Sequence, residues 1–152
     1  MNIKIQELEN VQMLTVQQLV EMAPIHLDIV ERVPNITGRA FDLIAWYQVW
    51  SKLYPVDNKL FSEPTHLKVE AMDEFSATVS WSELGAAVFL YEQEGLPLIK
   101  GFPLRLYVPD GSSECLNVKS VVTLTIIHNS ELAADAVYGF KNFISANELK
   151  RK

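Results

Sequence analysis

Few residues in this chain carry side chains suited to metal, nucleophilic or acid–base chemistry, and their spacing limits what they can do. The three histidines, His26, His66 and His128, are far apart. No two have the separation that places a pair of ligands on one helix face, so they do not form a metal motif. The single cysteine, Cys115, excludes an intrachain disulfide, reads as a loop thiol and points to a reducing compartment. The six glycines are scattered among turns, which does not suit a backbone phosphate cradle. No serine stands in a G-x-S-x-G elbow. The 19 Asp and Glu residues are spaced as solvated strand and helix faces. Any acid–base pair among them has to be assembled by the fold.

The elements that must position these groups follow from periodicity. Ile3 and Ile5 alternate in a short edge strand within the first ten residues. Thr15 and Gln18 have capping-box spacing, which predicts a helix over 16–22 that stops at Pro24. Ile25, Leu27 and Ile29 alternate with His26 and Asp28 as a half-buried strand, and Pro34, Asn35 and Gly38 then break the chain. A second helix is expected over 41–54. Leu43, Trp46, Tyr47, Trp50, Leu53 and Tyr54 share one face at spacings of three and four, and Pro55 ends it. A face this aromatic is expected to pack on a sheet. Residues 59–64 read as a loop, and strands over 65–71 and 75–81 flank a turn at Asp73 and Glu74. One helical turn at Trp81–Leu84 leads into further strands, the last of them a β-branched run ending at His128. Ser130 as N-cap and a basic end predict a helical tail over 130–150, with Leu132, Ala136, Phe140, Phe143 and Ile144 inward. The sum is one mixed α+β domain over 1–152, with about three helices.

Within this frame, GFPLRLYVP at 101–109, followed by Asn117, Val118 and Lys119, resembles the molybdopterin-binding domain of the sulfite oxidase family. The ordered matches are Glu94, Gly95, Pro97, Leu98, Gly101, Pro103, Leu104, Arg105, Leu106, Pro109, Val118 and Lys119. DEFS at 73–76 stands where the family has D-G-Y-S, with Glu74 in place of the glycine. The resemblance covers about 14–127. It implies a barrel-like mixed sheet and a pterin site built from Lys119, Asn117, Arg105, Asp73 and Phe75. Lys119 would anchor the cofactor phosphate as a point charge, while Leu116 stands where the family has an arginine fork. The family's molybdenum-ligating cysteine falls in the stretch equivalent to 26–39, which contains none here, and no metal ligand is assigned. The implied function is therefore a molybdopterin-binding-like domain of the oxidoreductase type, degenerate at the metal ligand. The alternative is a non-catalytic binding or interaction module on the same scaffold.

Composition bounds the partners. With 49% hydrophobic residues in 152, the chain can bury about two thirds of its unfolded surface. A net charge of −6 without basic runs argues against nucleic acid, and no stretch reaches the ~18 apolar residues of a membrane span. A cytoplasmic protein is expected, and the sequence does not decide self-association.

Overall fold

Period-two alternation turns most of this chain into strands. The computed structural model describes residues 1–56, 63–129 and 137–140. β1 (Asn2–Glu7) buries Ile3, Ile5 and Glu7 on one face, and the chain reverses at Leu8 into β2 (Asn10–Thr15). β5 (His66–Ala71) and β6 (Phe75–Ser80) form the expected hairpin. At its turn Asp73 Oδ1 accepts from the Phe75 N–H at 3.1 Å, and Glu74 takes φ +69°. The left-handed conformation a glycine would supply is thus adopted by glutamate. β10 (Val121–Ile127) and β11 (Val137–Phe140) complete a six-stranded sheet in the order β11-β6-β5-β10-β1-β2. Only the β1–β10 pair in it is parallel.

The second sheet joins β3 (His26–Asp28), β4 (Arg39–Asp42), β7 (Val88–Gln93), β8 (Leu96–Pro97) and β9 (Arg105–Tyr107). Its inner face carries Phe41, Phe89 and Leu106 into the main core, where they meet Ile3, Ile5, Leu67, Val69, Leu124 and Ile126 of the first sheet. Its outer face holds a smaller core of Leu27, Ile29, Ala40, Leu90, Leu98 and Tyr107. Residues 118–121 link the sheets. Val118 exchanges backbone hydrogen bonds with Leu106, Val121 N–H donates to Leu104 O, and the chain then enters β10. The strand expected to begin near Val118 is therefore split between two sheets.

The helices obey their capping residues. α1 (Val16–Met22) has the reciprocal box: Gln18 N–H donates to Thr15 Oγ1 at 3.1 Å, and Thr15 N–H to Gln18 Oε1 at 2.8 Å. α2 (Leu43–Leu53) starts two residues later than periodicity predicts, because Asp42 is its N-cap and accepts from Ala45 N–H at 2.8 Å. Arg39–Asp42 becomes a strand that sequence reading misses. Ala40 and Phe41 are buried against opposite cores, which erases the alternation. Trp46 and Trp50 pack in the core as expected, whereas Leu53 is 58% exposed.

Three expectations need correction. There are two α-helices among the described residues, not three, and three short 3₁₀ turns at Ile29–Glu31, Trp81–Glu83 and Glu114–Leu116. The sheets do not close into a barrel: β2 and β11 stand as the two ends of the first sheet, and the second sheet is separate from it. The helical tail lies largely outside the described residues. Within it Val137–Phe140, including Phe140, is a strand pairing antiparallel with β6, whose edge offers a row of N–H and C=O groups to an extended segment. No described helix is long and apolar enough to cross a membrane.

Candidate functional site

The fold brings the stretches that carry the pterin resemblance to one end of the molecule. Met72 N–H donates to Ser120 O at 3.0 Å, and Ser120 N–H to Gly101 O at 3.2 Å. The 72–75 turn, the start of 101–105 and the 117–120 segment are thereby neighbours. Their side chains, however, are largely committed to structure. Asn117 Oδ1 accepts from Val108 N–H at 2.8 Å, and Asp73 closes the hairpin turn. Phe75 is half-buried against the main core. Arg105 lays its stem against Gly101, where a Cβ would lie 2.4 Å from its Cγ and Cδ, and its guanidinium sits 5.2 Å from the centre of the Tyr107 ring. It makes no ion pair with Asp110 or Glu114, and its Nε has no hydrogen-bond partner. Lys119 is exposed and free of ion pairs among the described residues.

Lys119 and Arg105 are the cationic side chains of this set. Cys115 is exposed in the 3₁₀ turn at Glu114–Leu116, and no group of three His, Cys, Asp or Glu residues among those described could hold a metal ion.

Two polar constellations escape the sequence reading. The first is centred on a buried carboxylate. Glu7, 1% exposed, accepts from Trp50 Nε1 at 3.0 Å and from the Tyr47 hydroxyl at 2.5 Å. Its Oε2 also lies 2.8 Å from His128 Nε2, while His128 Nδ1 faces the Glu63 carbonyl at 3.0 Å. A carbonyl can only accept, so Nδ1 carries a hydrogen, and one further proton sits between Nε2 and Glu7. Burial, and then the hydrogen bond to Glu7, hold the Tyr47 phenol well above the ordinary tyrosine range. A buried carboxylate demands such partners, and here helix α2 and strand β10 supply them. The signal was the register: Glu7 follows Ile3 and Ile5, and His128 follows Leu124 and Ile126, at inward positions of their strands. The tetrad acts as a structural lock between the first sheet and α2.

The second constellation opens to solvent. A cleft of about 570 Å³ runs between the β2–α1 junction and the β7–β8 hairpin. Its apolar walls come from Val16, Val20, Pro97, Phe102 and Pro103, with Met1 beside them. Its polar residues are Thr15, Gln17, Tyr91 and Glu92. Tyr91 is tied into the wall by His26, whose Nδ1 lies 2.9 Å from the phenol oxygen, while its Nε2 lies 2.8 Å from the Ala23 carbonyl. The carbonyl fixes the hydrogen on Nε2. In the neutral ring Nδ1 then accepts from the Tyr91 O–H, and the phenol oxygen, which also faces the Arg39 guanidinium, keeps a further lone pair. Burial raises the Tyr91 phenol above its usual range, and the nearby Arg39 guanidinium opposes that shift. Arg39 is itself paired with Asp28 at 3.1 Å. None of Lys119, Asn117, Arg105, Asp73 or Phe75 lines this cleft. Cleft residues come from three separate stretches of chain, which is why no motif marked them.

Comparison with protein-family models, with curated proteins and with solved structures finds no match for this chain.

Proposed function

We propose that this chain is a non-catalytic binding module whose ligand, a small organic molecule, occupies the cleft between α1 and the β7–β8 hairpin. The observation that carries this reading is the cleft's construction: apolar walls around a few polar groups, with Tyr91 held in a single orientation by His26. Ligand sites are typically concave, largely apolar and oriented by a few preformed polar groups. The chemistry of a redox enzyme is less well supported, since neither Cys115 nor a histidine lines this cleft.

The test is amide chemical-shift mapping with uncharged indole-3-ethanol. Shifts gathered at Val16, Tyr91, Glu92 and Phe102 are the expected result. Absence of saturable shifts there, or shifts confined to another surface, would refute it.

One observation favours a second reading, a molybdopterin-type ligand without a protein metal ligand. The turn at Asp73, the Gly101 stretch and the Lys119 segment share one end of the molecule, linked by the backbone bonds of Ser120. Lys119 and backbone N–H groups would meet the phosphate there. Elemental analysis and oxidised-pterin fluorescence on protein from a cofactor-producing host test it. Pterin retained by the wild type and lost in Lys119→Ala supports this reading, and protein with neither pterin nor molybdenum rejects it.

A further inference from the structure

Each polar side chain of the cleft keeps acceptor capacity. Gln17 spends its amide N–H on Glu21 Oε1 at 3.1 Å, and because a carboxylate only accepts, that contact sets the amide orientation and leaves the Gln17 oxygen unused. The Tyr91 phenol donates its hydrogen to His26 in the neutral-ring arrangement, and its oxygen, also approached by the Arg39 guanidinium, has a further lone pair. Glu92 is the one lining residue with a charged side chain, and it makes no ion pair among the described residues, including with the Met1 amino group. Arg39, opposite Glu92 in the β4–β7 register, is paired with Asp28 at 3.1 Å. Thr15, whose Oγ1 accepts from Gln18 N–H, is the remaining polar lining residue.

We infer that the cleft selects an organic cation: a protonated amine with its N–H donors directed to Glu92, Tyr91 and Gln17 and an apolar body against Val16, Val20, Pro97 and Phe102. Spare acceptor capacity suits a ligand that brings donors. A carboxylate in a partly apolar wall favours one that brings positive charge as well. An exposed Phe102 at 39% accessibility adds an aromatic face on which a cation or a flat ring can rest.

This inference rests on the cleft being the ligand site, and an isosteric series separates the two. Tryptamine, indole-3-ethanol and indole-3-acetate share a ring and differ in charge. Affinity at pH 7 is measured for each by titration calorimetry and shift mapping on the wild-type chain. Tryptamine is expected to bind at least about tenfold more tightly than the alcohol, as a charge-assisted hydrogen bond requires, and the acetate most weakly. Glu92→Gln, with folding checked by circular dichroism, should bring tryptamine down to the alcohol's affinity, and Tyr91→Phe should weaken it less. Equal affinity for all three ligands, or preference for the acetate, would overturn the cation inference while leaving the cleft as a binding site. No binding of any of the three at the cleft would overturn both.

Discussion

Glu7 offers the sharpest test of how the first sheet is fastened to α2. Glu7→Ala removes the acceptor for Trp50 Nε1, the Tyr47 hydroxyl and the proton on His128. A buried donor left without an acceptor costs about 1–3 kcal/mol. His128 and Trp50 are shut from solvent and bear that cost in full, whereas Tyr47 is only half-buried and can recover a water. The expected loss is about 3–5 kcal/mol, the range for removing one member of a buried pair. That is a large share of the ~5–15 kcal/mol of a typical domain, and at ~2–4 °C per kcal/mol for this size it lowers Tm by roughly 6–20 °C. Glu7→Gln should cost less, about 1–3 kcal/mol. Its amide can donate to His128 Nε2 and its oxygen can accept from Trp50, so the Tyr47 hydrogen alone loses its acceptor. Urea unfolding followed by tryptophan fluorescence reads both variants, with an unchanged m-value required for the comparison. A double-mutant cycle with His128→Ala should give a coupling of about 0.5–3 kcal/mol. A loss below about 1 kcal/mol for Glu7→Ala, or a greater loss for Gln than for Ala, would refute the role of the carboxylate as shared acceptor.

Alkaline unfolding examines the same lock from Tyr47. The folded chain keeps a phenol proton that the unfolded chain releases above about pH 10, so this stabilisation is complete below that pH and is lost as pH rises beyond it. Tyr47→Phe should lose about 1 kcal/mol near neutrality and flatten part of the decline above pH 10; an identical decline would contradict the assignment. Gly38 has φ +130°, and a Cβ there would lie 2.4 Å from Glu92 O, so Gly38→Ala should cost at least about 2 kcal/mol. Gly85→Ala, with no atom within 4 Å of the added methyl, serves as the control and should stay within about 0.5 kcal/mol. Removal of the Asn117 side chain frees Val108 N–H and should cost about 1 kcal/mol in thermal unfolding, whereas exposed Lys119→Ala should change stability by less than about 0.5 kcal/mol. The reverse order would make Lys119 the structural residue of that pair.

Local rules carried much of the fold. The Thr15–Gln18 box appears where its spacing predicts, and the β5–β6 hairpin follows its alternating residues. Both depend on interactions between residues a few positions apart, which sequence order alone specifies. β4 was hidden because Ala40 and Phe41 are buried on both sides of the second sheet, and β11 because the edge of β6, rather than local propensity, decides its conformation.

The candidate sites divide along the same line. The Asp73, Gly101 and Lys119 stretches could be picked out as short runs, but only backbone pairing through Ser120 makes them neighbours. Glu7 and His128 are 121 positions apart and meet because β1 and β10 run parallel, side by side, with both side chains inward. Tyr91 and His26, 65 positions apart, meet across the second sheet. The sequence by itself determined caps, turns and the inward faces of regular elements, since those follow from bond geometry and solvent avoidance over a few residues. Which polar groups share a site was decided by strand order and register, because a hydrogen bond acts over about 3 Å whatever the length of chain between its partners.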